Sequence, residues 1–181
     1  MTSLPQLIAA LCLLAGATAP TWAGDAVQRS LSPIDWKAAE QARTQPAQSD
    51  AALKQLRAAA PTGLDQVKLP LLVLPANGDW GAPRFYGQGT AYAVLYAPER
   101  AKLGIFGAAS TIIAPAGLKL EHAPGAFESI GDGADYSFTR FGAAYTLRIT
   151  CDEPLKDKRC TDPQYLTEAA NALLVVGGRA Q

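Results

Sequence analysis

Two cysteines, Cys151 and Cys160, stand nine positions apart in the stretch TLRITCDEPLKDKRCTDPQYL, and a third, Cys12, lies far upstream. A cysteine pair has three chemical uses: a disulfide, a metal clip or a reactive dithiol. Redox pairs of the C-x-x-C kind are closely spaced, and here eight residues intervene. A structural zinc ion needs a full set of Cys and His ligands. Downstream of residue 23 the chain offers only these two cysteines and one histidine, His122. A disulfide is the expectation, with no metal and no cofactor. Closing a loop of about ten residues removes denatured-state entropy worth roughly 2.5–3 kcal/mol.

A disulfide needs an oxidising compartment, so the N-terminus bears on the same question. Residues 1–23 contain no charged side chain, and Leu7 to Ala19 form a continuous apolar run. That run has the length of a signal-peptide core and falls short of the roughly 20 residues a membrane span needs. Thr21 and Ala23 are small enough for a peptidase site before Gly24. The leader lacks Lys and Arg, leaving positive charge to the α-amino group. Leu11 stands where a lipidation motif wants a small residue before Cys12. The expectation is export, removal of residues 1–23 together with Cys12, and a periplasmic or secreted protein with no membrane span in its mature form.

His122 lies in KLEHAPG, at a strand end or in a loop. A catalytic base needs a nucleophile and an orienting group beside it, and no nucleophile motif accompanies it. The most acidic segment, FESIGDGADYS, carries Glu128, Asp132 and Asp135. It departs from the D-x-[DN]-x-[DN]-G calcium loop at several positions and reads as a Gly-rich turn with solvated carboxylates. Glycoside hydrolysis needs two acids flanking a cleft. Glu128 with Asp135, or Glu121 with Asp79, are the pairs that spacing permits and does not support. No catalytic residue is assigned.

The aromatic set is more suggestive. In RFYGQGTAYAVLYAP, read as one strand, Phe85, Gly87, Gly89, Ala91, Ala93 and Leu95 alternate with Tyr86, Gln88, Thr90, Tyr92, Val94 and Tyr96. One face is nearly bare in its middle and the other is aromatic. Tyr brings apolar area with a polar tip, which suits a binding surface. The candidate binding residues are Tyr86, Gln88, Tyr92 and Tyr96, with Trp80 and Arg84 at the rim. The opposing reading packs the tyrosines against another layer as core, and the sequence leaves both open.

The elements that must carry these residues follow from pattern and punctuation. Ser32, Pro33 and Asp35 open a helix, Pro46 interrupts, and a second short helix runs from Ser49 or Asp50 to Pro61. Val67 to Pro75 is an apolar run in which Pro70 points to an edge strand or bulge. Lys102 to Pro115 gives a strand or hairpin with bends at Gly104 and Gly107, and GLKLEHAPG adds a short strand. ADYSFTRFGAAYTLRITC alternates on both sides of Gly142, which marks a bulge or tight turn. Asp162 and Pro163 open a last helix whose apolar face runs through Tyr165, Leu166, Ala169, Leu173 and Val176 to Gly177. The small-residue strand face is where that helix is expected to lie close.

The expected architecture is α+β: a largely antiparallel sheet with a C-terminal helix packed on one face and an N-terminal helical arm. The division is 1–23 signal peptide, 24–64 helical arm and 65–181 disulfide-containing domain. Lys+Arg and Asp+Glu both total 16. The net charge of zero offers neither a nucleic-acid footprint nor a polybasic membrane patch. Together these features favour a non-enzymatic binding or accessory domain of the cell envelope, with a protein, peptide or glycan as partner. The alternative is a cell-wall or extracellular hydrolase working through acidic residues and His122.

Overall fold

The computed structural model describes residues 28–31, 33–60, 62–113 and 125–178. Residues 1–23, expected from the sequence to be a signal peptide, lie outside them, as do Ser32, Glu121 and His122. In chain order the elements are β1 (Gln28–Leu31), α1 (Trp36–Gln41), α2 (Pro46–Ala59), a 3-10 turn (Leu64–Gln66), β2 (Leu71–Val73), β3 (Arg84–Gln88) and β4 (Ala91–Tyr96). They continue as β5 (Ala101–Ala108), β6 (Ser110–Ile113), β7 (Ala126–Ile130), β8 (Gly133–Arg140), β9 (Ala143–Cys151), α3 (Lys158–Thr161), α4 (Pro163–Ala172) and β10 (Leu174–Gly177).

Tight turns make the sheet. Gly89 takes φ +57° at the first central position of the β3–β4 turn, as a type II′ hairpin requires. Phe141 at φ 54° and Gly142 at φ 77° make the β8–β9 turn, with the two positive φ values of type I′. The result is a six-stranded antiparallel sheet in the order β3-β4-β5-β9-β8-β7. It consists of two meanders, β3-β4-β5 and β7-β8-β9, joined along β5 and β9. β6 leaves β5 after Ala109 and pairs with β1, and β2 pairs with β10 in a separate ribbon.

One face of the sheet is the core. Phe85, Val94, Ile105, Leu147 and Tyr136 form one cross-strand row on it, and Tyr92, Tyr145 and Phe138 belong to the next. The β2–β10 ribbon lies under this face, with α2 on β10 and with α3 and α4 on β8 and β9. Ala52, Leu56, Leu166 and Ala169 carry the helices into the same cluster. The α+β architecture, with a C-terminal helix on one face, is as the sequence indicates.

Several boundaries differ, each for a local reason. Asp35 is itself the N-cap of α1, its carboxylate accepting the Ala38 N–H at 2.8 Å. Pro46 is the first residue of α2 rather than a break, since its missing N–H is no loss there. β5 runs unbroken through Gly104 and Gly107, and the chain turns at Ala109 instead. α4 stops at Ala172. Val175 and Val176, read from the sequence as its last turn, belong to β10, where β-branched side chains suit a strand. α4 meets β8 and β9 rather than the small residues of β4.

Cys151 ends β9 and Cys160 sits buried on α3, joined by a disulfide with Cα atoms 6.4 Å apart. The loop between them is charged and largely exposed. Asp157 caps α3 by accepting the Arg159 N–H, and its carboxylate also pairs with that guanidinium. That pairing, through its hydrogen bond first, holds the Asp157 carboxyl below its ordinary range.

Candidate binding face

The residues Arg84 to Tyr96 are a hairpin and not one strand, and this changes which side chains keep company. Across a two-residue turn, Gln88 pairs with Ala91, Tyr86 with Ala93 and Arg84 with Leu95. Tyr86, Gln88 and Arg84 therefore share a face with Ala91, Ala93 and Leu95. Tyr92 and Tyr96 share the other with Phe85, Gly87 and Val94. The single tyrosine face expected from alternation is corrected: the turn at Gly89–Thr90 resets the phase.

Tyr92 is 4% exposed and Tyr96 is buried beside it. Their phenols reach the ribbon below. Tyr92 Oη accepts the Leu72 N–H at 2.7 Å and donates to the Leu72 carbonyl at 3.2 Å. Tyr96 Oη accepts the Leu74 N–H at 3.1 Å, and Tyr145 Oη donates to the Pro70 carbonyl at 2.9 Å. β2 is hydrogen-bonded to β10 along one edge only, and these phenols serve backbone groups along the other. Burying such groups without a partner is costly, so the tyrosines are a structural device. Gly87 and Gly107, the cross-strand neighbours of Tyr92, give the rings room: a Cβ at Gly107 would collide with the Tyr92 ring, and one at Gly87 with Phe85. Trp80 also leaves the expected set. Its indole packs on Tyr165 of α4, ring centroids 5.9 Å apart, against the core.

The opposite face of the sheet is uncovered by any described element. Register sets its side chains in cross-strand rows. One row reads Arg84, Leu95, Gly104, Arg148, Asp135, Glu128, and the next Tyr86, Ala93, Phe106, Thr146, Ser137, Ala126. Lys102 and Thr150 pair on the far side of the first row. Tyr86 is 58% exposed, Phe106 39% and Leu95 36%. These are the large apolar side chains left in water on a sheet whose other face is filled. A shallow groove of about 500 Å³ runs among Arg84, Leu95, Lys102, Phe106, Arg148 and Thr150.

The groove floor is shaped by glycine. A Cβ at Gly104 would lie 2.6 Å from Phe106 Cε2 and 3.2 Å from Leu95 Cδ2. The Phe106 ring therefore lies down over the bare Gly104 backbone. On one flank, Arg148 Nε and Nη2 donate to the two Asp135 carboxylate oxygens at 2.7 and 2.6 Å. That fork raises the guanidinium above its ordinary pKa, the hydrogen bonds contributing most. Among the described residues Arg84 and Lys102 have no ion-pair partner. Ser137 and Thr146 exchange a hydrogen bond at 3.0 Å.

Of the sequence-derived candidates, Arg84, Tyr86 and Gln88 fall on this open face, while Tyr92, Tyr96 and Trp80 do not. Leu95, Lys102, Phe106, Arg148 and Thr150 were missed. Their signal was present: Lys102, Gly104, Phe106 and Ala108 alternate with Leu103, Ile105 and Gly107 along β5. Of the acids, Glu128 faces Asp135 across the β7–β8 pairing and Asp132 lies in the turn between those strands. Asp79 sits in a separate exposed turn. Among the described residues no group of three or more His, Cys, Asp or Glu side chains is placed to hold a metal ion. No described helix is long and apolar enough to cross a membrane.

No family model, curated protein or solved structure matches the chain.

Proposed function

We propose that this is an exported, non-enzymatic binding domain of the cell envelope that docks its partner on the open face of the six-stranded sheet. The supporting observation is the unequal dressing of the two faces. One is closed by ribbon and helices, while the other keeps Tyr86, Leu95 and Phe106 exposed around a cationic groove. Exposed apolar patches rimmed by polar residues mark interaction sites. The disulfide is compatible with an oxidising compartment. Tyr92 and Tyr96, buried in the core, take no part in this face, which Tyr86 forms with Leu95 and Phe106.

The test is capture on immobilised mature protein. Tyr86→Ala and Leu95→Asp abolish retention of the partner while leaving the thermal transition nearly unchanged, because both side chains are exposed. Retention that survives both substitutions rejects the open face as the docking surface. Export is checked by intact mass of material from the periplasm or medium, which begins near Gly24. A mass that includes Met1 rejects leader removal.

A further inference from the structure

Resting on the reading of the open face as a docking surface, we propose that its groove binds an anionic saccharide, a sugar chain bearing carboxylates. The charge is the first reason. Arg148 is neutralised by Asp135, but Arg84 and Lys102 bring two positive charges to the same groove without an ion-pair partner among the described residues. The ligand that complements them carries negative charge. The floor is the second reason. It is the middle of a sheet, where β4, β5 and β9 have neighbours on both sides. Their backbone N–H and C=O groups are therefore engaged in the ladders. A peptide read by strand addition needs a free edge; the floor between β4 and β9 offers none, and the groove meets the sheet edge only at Arg84 on β3, so recognition on the floor falls to side chains.

Those side chains suit a sugar. Phe106 lies over Gly104 and offers a flat apolar surface, which matches the C–H face of a pyranose ring. Thr150 lines the groove, and past Arg148 the cross-strand pair Thr146 and Ser137 stands on the adjoining surface; these supply hydroxyls for ligand hydroxyls. The volume of about 500 Å³ lies within the usual range for a small-ligand site. Arg84 and Lys102 then take the carboxylates, Arg as a planar fork and Lys as a point charge.

The test titrates the mature protein by calorimetry with three probes: an oligogalacturonate, a neutral cello-oligosaccharide and an oligoglutamate of similar length. The expected order is oligogalacturonate well ahead of the other two, with affinity falling as salt rises. Arg84→Ala combined with Lys102→Ala weakens binding at least about tenfold, and so does Phe106→Ala, since aromatic and Arg anchors carry much of such binding. Gly104→Ala, whose methyl must displace the Phe106 ring, weakens it with all charges kept. Oligoglutamate binding as tightly overturns the saccharide class, and cello-oligosaccharide binding as tightly overturns the anionic part. If none of the three binds, the inference fails. The capture experiment then separates the two readings: partner loss in Tyr86→Ala and Leu95→Asp leaves the docking face standing, and undiminished capture removes both.

Discussion

Three buried phenols, those of Tyr92, Tyr96 and Tyr145, sit where ionisation is resisted. Burial is the leading cause in each. It pushes Tyr96 up to about 12 and raises Tyr92 and Tyr145 as well, against the lowering effect of the Leu72 hydrogen bond on Tyr92 and of Arg140 on Tyr145. In the unfolded chain a tyrosine releases its proton near pH 10. Below that pH both states are protonated and the full stability is present. Above it the unfolded state binds fewer protons than the folded one, so stability falls as pH rises from about 10 toward 12. Denaturant titrations at stepped pH, read together with phenolate absorbance, should show the loss of stability and the absorbance advancing together. Phenolate signal from all three in a chain that keeps its native fold would contradict the burial. Tyr92→Phe removes one hydroxyl that serves both the N–H and the C=O of Leu72. Each group left unsatisfied costs roughly 1–3 kcal/mol, and Tyr92→Ala costs about 3–5 kcal/mol. Thermal or chemical denaturation measures both, and binding to the open face should persist in the phenylalanine variant.

The elements were legible in the sequence where side chains alternate without interruption, and misread where a turn changes the phase. Tyr136, Phe138 and Arg140, then Tyr145, Leu147, Ile149 and Cys151, read from alternation as the faces of two strands, do share the core face. Gly142 between them reads as a bulge or a tight turn, and the structure has the turn. The hairpin at Gly89 gave no such sign, because small residues continue on both sides of it. An alternation count carried across its two turn residues looks seamless while the partner face changes. Two consecutive elements of unlike type, α4 and β10, merged for a similar reason: LLVV continues the apolar spacing of the helix, and only pairing with β2, distant in sequence, makes it a strand. The cysteine pair was legible because it depends on counting ligands rather than on geometry. Its bond ties the end of β9 to α3, and removing it by Cys151→Ser with Cys160→Ser should lower stability by roughly 2.5–3 kcal/mol. Chemical denaturation of the double variant beside the oxidised parent checks this. A loss near zero would mean that α3 is held by its Asp157 cap and its packing on α4 alone.

For the whole molecule, the unequal treatment of the two sheet faces rests on a ribbon whose strands come from far apart in the chain. Val73 pairs with Leu174 across about a hundred positions, and distant pairings of this kind form slowly because a long loop must close first. The hairpins β3–β4, β7–β8 and β8–β9 need no such closure. The order of assembly follows: meanders first, their union along β5 and β9 next, the ribbon last. In stopped-flow measurements Val175→Ala should speed unfolding with little change in the folding rate, whereas Ile105→Val should slow folding. Equal effects on both limbs for the two variants would place the ribbon in the folding nucleus. A chain that emerges from synthesis N-terminus first therefore spends a waiting period with the meanders formed and the Leu71–Val73 segment unclaimed. During that time the apolar underside of the sheet and its three phenols face water, and the length of the exposure is set by the arrival of residues 174–177. The vulnerability of this protein to aggregation or to capture by a holding chaperone is thus concentrated in the last step of its synthesis.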